Sequence, residues 1–302
     1  MVSGVCPVLA VPFTENGGVD YNSFTSLVEW IISLGVENVL MFGIASENIK
    51  LDDVERDRLL QTLIAARGKS DLKVIASVAD HSSELAVHRA QRYQGLGADY
   101  INILPPTFFS PSQEQVLFHI SEVLSSVTVP VIVQHLPQAG GHDDISPIVK
   151  LASEYSNLTM IKCEANPPTQ SIEMVEKLSG GRIKSLVGWG GLSWLDGARA
   201  GSVGVQPGCS LTDLYVWAGE ALKRGDYPEC ESRLEKFLPI VRNWISNIEL
   251  LIAAEKRMLM QRGIIATDYC RNPTVKIPDQ VDLEINQILS LLNGQDLAVY
   301  HG

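Results

Sequence analysis

PVIVQHLPQAGGHDDISPIVKLASEYSNLTMIKC, residues 130–163, decides the fold. The stretch opens on an apolar run, Pro130–Gln134, and closes on a second, Leu158–Lys162. Neither run alternates polar with apolar residues, so each reads as a strand covered on both faces, the pattern of a parallel sheet. Between them Ile148–Tyr155 has helical spacing, and a helix joining two parallel strands makes one strand–helix–strand unit.

Working outward, the same unit recurs in both directions. Apolar runs at 4–11, 38–43, 72–78 and 99–104 precede the quoted stretch, and runs at 183–188 and 202–206 follow it. Helical patterns at Tyr21–Leu34, Asp52–Ala66, Ser83–Leu96 and Gln113–Ser125 fall between the earlier runs, each ended by Gly, Ser or Asn. Strand starts lie mostly about 30 residues apart, the length of a βα unit. Eight strands each followed by a helix predict an α/β chain folded as a (β/α)8 TIM barrel, a core of about 250 residues that runs as one domain.

After the eighth run the pattern changes. Thr212 to about Gly263 and Asp279–Leu292 read as helix, with a Gly225-Asp226-Tyr227-Pro228 turn inside the first stretch. That is more helix than one barrel repeat needs. The expected division is a barrel over 1–210 and a C-terminal helical subdomain or oligomer surface over 211–302.

Composition narrows the function. The 302 residues are 45% hydrophobic and 20% charged, far from the signature of disorder. The 24 Lys and Arg against 35 Asp and Glu leave a net charge of −11, which repels a phosphate backbone and points away from nucleic acid. Charge or Gly breaks every apolar run well before a membrane span, and MVSGVCPVLA lacks a basic leader with a cleavage site, so a soluble cytoplasmic protein is expected. Cys6, Cys163, Cys209, Cys230 and Cys270 are scattered with no Cys-x-x-Cys spacing and read as buried, reduced thiols.

Barrel chemistry sits at the C-terminal ends of strands. Lys73 and Lys184 enter their strands near the opposite end, and Lys50, Lys69, Lys150, Lys177, Lys223, Lys236 and Lys276 fall in helices or connections. Lys162 alone ends an apolar strand. Held in a partly dry barrel mouth, its amine loses charge through desolvation and becomes able to attack a ketone. The iminium so formed stabilises a carbanion or enamine on the adjacent carbon. The plainer reading is a lysine snorkelling to solvent from a strand end.

The residues also resemble a known family. Gly4-Val5 through Pro12-Phe13, Gly43-Ile44-Ala45-Ser46-Glu47, Gly97-Ala98-Asp99, Pro105-Pro106 with Pro111-Ser112-Gln113-Glu114, and Ile161-Lys162-Cys163-Glu164-Ala165 are similar to segments of the dihydrodipicolinate synthase and N-acetylneuraminate lyase family, over nearly the whole chain. The resemblance implies a class I, metal-independent lyase or aldolase that works without a cofactor on pyruvate or a related 2-oxo acid, built as a homo-oligomer, dimer or tetramer. It makes Lys162 the Schiff-base former. It also makes the backbone N–H groups of Ile44 and Ala45, in the loop with Ser46, the receptors of the substrate carboxylate, as unpaired donors before a helix are suited to be.

The departures from the family pattern matter equally. Where the family has Tyr-Asn-Val-Pro after the fifth strand, this chain has Gln134-His135-Leu136-Pro137. An amide orients a carbonyl or water but takes up no proton at neutral pH. The loop threonines are Ile44 and Ala45, and Thr107-Phe108 replaces an aromatic pair, so the family's hydroxyl relay is absent. No arginine follows in Gln138-Ala139-Gly140-Gly141, which leaves specificity for aspartate semialdehyde unsupported. Lys162-Cys163-Glu164 with Pro167-Pro168-Thr169 resembles a branch of the family that carries Gln in place of the tyrosine.

Expected around the site are Gln134 as a second catalytic group and Ile44, Ala45, Ser46, Phe108, Glu164, Trp189 and Gln206 as substrate contacts. Glu164 either approaches the amine or is a salt-bridged or solvent-facing carboxylate. Trp189, in Gly188-Trp189-Gly190-Gly191, either walls the pocket or packs in the core. His135 is expected to point away from Gln134 and pack. His142-Asp143-Asp144 diverge too far to hold a metal alone, and no nucleotide-binding glycine motif or Gly-x-Ser-x-Gly occurs. Three functions stay open: a Schiff-base aldolase or lyase, a dehydratase using the same lysine, and a protein that binds a 2-oxo acid without turnover.

Overall fold

The structure, a computed structural model, describes residues 1–294. Residues 295–302, the end of the expected C-terminal subdomain, lie outside the described residues. Eight strands alternate with helices in one sheet of order β1-β8-β7-β6-β5-β4-β3-β2, the strand order of a (β/α)8 barrel. The chain groups into two compact units, Met1–Ser3 with Lys73–Gln206, and Gly4–Leu72 with the chain from Pro207 on.

The first unit holds β3 (Lys73–Val78), β4 (Tyr100–Ile103), β5 (Val131–His135), β6 (Leu158–Cys163), β7 (Lys184–Val187) and β8 (Gly204–Val205). Each pairs with the next in parallel. The runs are mostly apolar because helices cover their outer side, and Val74, Ile75 and Ala76 in succession have no exposed surface. The covering helices are α3 (Ser83–Gly95), α4 (Gln113–Ser126), α5 (Ser146–Leu151), α6 (Thr169–Ser179) and α7 (Trp194–Arg199). Ser82 caps α3, and Ser112 with Gln115 forms a capping box on α4, each satisfying amides that the first helical turn leaves open.

The second unit holds β1 (Gly4–Val5), α1 (Tyr21–Ser33), β2 (Asn38–Met41) and α2 (Asp53–Arg67), followed by α8 (Thr212–Lys223), α9 (Tyr227–Leu234), α10 (Leu238–Ile245), α11 (Ile248–Gln261) and α12 (Asp279–Gly294). Tyr215 of α8 meets Phe237 edge to face at 4.9 Å. Trp244 of α10 is fully buried and donates its indole N–H to Glu284 of α12 at 2.8 Å. Gly225 in the left-handed region and Asp226 capping α9 make the expected turn after α8.

Three elements are shorter than their sequence patterns. The run at 4–11 keeps only Gly4–Val5 as regular strand, because Pro7 and Pro12 have no amide to donate; Val8 bridges Leu40 and Gly208 singly. The run at 202–206 is strand only at Gly204–Val205, with Pro207 next. The helix at Ile148–Tyr155 starts earlier, at Ser146 with Pro147 in its first turn, and after Leu151 tightens into i→i+3 bonds from Ala152, Ser153 and Glu154. All five cysteines are buried and none is in a disulfide. Among the described residues no helix is long and apolar enough to cross a membrane.

Candidate active site

Lys162 is the penultimate residue of β6, directly across the sheet from Gln134 of β5 and Leu186 of β7. Only 6% of it is exposed. The snorkelling alternative therefore fails: the amine ends inside the first unit, against Glu164. Lys162 Nζ lies 3.4 Å from Glu164 Oε1, and Glu164 is itself 5% exposed.

The carboxylate of Glu164 is held from several sides. Its Oε1 accepts the backbone N–H of Trp189 at 2.8 Å, and its Oε2 accepts the side-chain amide of Gln134. Its backbone is fixed too, the N–H donating to His135 O at 3.0 Å and the carbonyl accepting from the Gln138 side chain. Trp189 can present its N–H because it sits in the left-handed region at φ 49°, a conformation that marks constrained functional loops in non-glycine residues.

Behind Gln134 the polar chain continues. Asn102 of β4 donates Nδ2 to Gln134 Oε1 at 3.3 Å and to Ser77 Oγ of β3 at 2.9 Å. Both residues are buried. Sequence reasoning missed the pair, although each was visible as a lone polar residue inside an otherwise apolar strand run. A lysine, a carboxylate and an amide buried together in one strand-end cluster can form an imine and move a proton beside it.

A model described as the dihydrodipicolinate synthetase family matches residues 1–292. The chain belongs to that family. It is 24% identical over 298 residues to an L-2-keto-3-deoxyarabonate dehydratase of Azospirillum brasilense, covering 96% of this chain and 94% of the relative. It is 25% identical over 287 residues to a 4-hydroxy-tetrahydrodipicolinate synthase of Bartonella bacilliformis, covering 92% of each. The solved dihydrodipicolinate synthase of Rhodopseudomonas palustris superposes with a TM-score of 0.87 at 22% identity, covering 96% of this chain and 97% of that one. The family's members are lyases and aldolases, with a dehydratase and synthases among the relatives of this chain.

In this member of the family the remaining expected site residues are placed as follows. Gln206 is buried just past β8, its backbone N–H donating to Val187 O at 2.7 Å. Phe108 is 67% exposed and packs on His81 and Phe109, where it lines an open cavity with Pro106, Phe118 and His119. His135 is buried as expected, its Nε2 3.0 Å from His142 O, and burial holds its imidazole below the usual range. Cys163, beside Lys162 in sequence, has its thiol pushed up to about 12 by burial and is inert as a nucleophile.

Ile44, Ala45 and Ser46 belong to the second unit, where they form a single 3-10 turn after β2. The N–H of Ser46 donates to Gly43 O and its hydroxyl to Leu9 O at 2.6 Å, so both donors of Ser46 are spent on the turn. Glu47 follows in the left-handed region, and its buried carboxylate pairs with the fully buried Lys256 of α11 and accepts the Arg271 N–H. That network fixes the end of the turn.

Proposed function

We propose that the chain is a Schiff-base hydro-lyase acting on a 4-hydroxy-2-oxo acid, the class to which 2-keto-3-deoxy sugar acids belong. The observation that carries this reading is the buried 3.4 Å contact between Lys162 Nζ and Glu164 Oε1. Lys162 attacks C2 of the substrate and water leaves, giving an iminium. Glu164 takes a proton from C3, the enamine expels the C4 hydroxyl, and the same proton returns to it as water departs. Hydrolysis of the remaining imine frees Lys162, and the net change is the loss of one water.

The position of Glu164 favours dehydration over C–C cleavage. Retro-aldol cleavage needs a base on the C4 hydroxyl, whereas elimination needs one at C3, the carbon next to the imine. A carboxylate that contacts Nζ itself is a neighbour of C3. Gln134 has no acid–base group and serves as a donor that steadies Glu164, and Trp189 acts through its backbone N–H.

Borohydride added with pyruvate is expected to fix one pyruvate on the wild-type chain and none on Lys162→Ala, read by intact mass. Glu164→Gln is expected to keep that adduct while turnover of a 2-keto-3-deoxy sugar acid falls by about 10²–10⁴-fold. An adduct on Lys162→Ala would end the proposal. An adduct with no turnover on any 4-hydroxy-2-oxo acid would mark the chain as a binder.

A further inference from the structure

We propose that Asn102 and Ser77 are positioning residues that set the protonation of Glu164 through the direction of the Gln134 amide. This rests on the reading of Lys162 and Glu164 given above. A buried glutamine amide can present either end to its neighbour. If Gln134 offered its oxygen, Glu164 would have to carry a proton to meet it; offering its NH₂, it favours the ionised carboxylate.

The direction is decided one layer further in. Asn102 Nδ2 donates both to Gln134 Oε1 at 3.3 Å and to Ser77 Oγ at 2.9 Å, which leaves Gln134 only its NH₂ for Glu164. Asn102 accepts a cost for this arrangement, because its Oδ1 is buried with no hydrogen-bond partner. Turning the Asn102 amide over would give that oxygen the Ser77 hydroxyl but set it against Gln134 Oε1. The uncompensated carbonyl is thus explained by what its NH₂ does for Gln134. With the Trp189 N–H on its other oxygen, Glu164 meets two amide donors that cannot accept a proton; the titratable groups facing it are Lys162, 3.4 Å away, and His135 of β5, and it waits as a base.

The test follows exchange of the pyruvate methyl protons with solvent deuterium by NMR, across pH, beside borohydride trapping. Exchange passes through the enamine and reads the base at C3 without need of the natural substrate. In Asn102→Ala the acid limb of the exchange rate is expected to move to higher pH, with trapping retained, since the Gln134 amide is then free to turn its NH₂ away from Glu164. Asn102→Asp, which forces Gln134 to turn its NH₂ away from Glu164, is expected to move the limb further. Ser77→Ala is expected to move it less.

If wild type is not trapped, the Schiff-base reading itself fails; if it traps without exchange, the base role of Glu164 fails; either result takes the relay with it. If wild type traps and exchanges but Asn102→Ala exchanges normally, or more slowly by the same factor at every pH, only the relay is overturned. Should Asn102→Asp fail to fold, Asn102→Ala still decides.

Discussion

A methyl group at Gly188 would fall 2.0 Å from Glu164 Oε1 and 2.5 Å from its Cδ. The absent side chain is therefore the space in which the carboxylate sits. Gly188→Ala is expected to cost about 1–3 kcal/mol of stability through overpacking, read by urea unfolding, and to slow pyruvate proton exchange at least as much as Glu164→Gln. The double variant Gly188→Ala with Glu164→Ala should recover the stability but not the exchange. At this scale Lys162 was legible, because no other lysine ends an apolar strand, and Glu164 was legible only as alternatives: its burial removes the solvent-facing one, and approach to the amine and salt bridge are one contact. Asn102 and Ser77 were not legible. Each stood inside a run classed as strand by its neighbours, and a run so classed hides which of its members face a polar interior.

Elements follow the same division between period and punctuation. The apolar runs located every strand and the amphipathic stretches located the helices up to α5 and those after β8, since burial periodicity is a local property of the chain, while α6 and α7 followed only from the repeat. Where they stop is set by contacts the pattern does not contain. The helical stretch from Thr212 divides into α8, α9, α10 and α11, with Asp226 and Asn247 accepting the first amides of α9 and α11. One such contact ties α12 to α10: Glu284 accepts the Trp244 indole N–H at 2.8 Å and the Asn243 amide at 3.0 Å. Glu284→Ala strands a buried indole donor and is expected to cost about 1–3 kcal/mol. Hydrogen exchange should show protection lost first in α12 and α10, and uniform loss across the chain would argue against this tie.

For the molecule as a whole, the barrel was readable from the count of strand–helix repeats, while the grouping of Gly4–Leu72 with the chain from Pro207 was not. Pairs such as Lys256 with Glu47 and Arg271 with Glu55 are more than 200 residues apart, and no local window encodes them. Glu255 of α11 gives this unit a pH signature. It is buried, accepts the Ser210 N–H at 2.8 Å, and burial raises its carboxyl from the ordinary 4.5 to about 7. The folded state therefore binds a proton that the unfolded state has released. The associated stability, about 3 kcal/mol from that shift, is complete below about pH 4.5 and lost as pH rises through about 7. Glu255→Gln is expected to flatten the melting temperature across that window and to melt higher than wild type at pH 8; an unchanged slope would show that other groups set it.

The burial of all five thiols reaches beyond stability to how the molecule can be studied. A maleimide dye should find no native target on the folded chain, so one cysteine introduced at the exposed Phe109 would carry a single reporter. Fluorescence from that position could then follow ligand arrival in real time without any native residue being removed first.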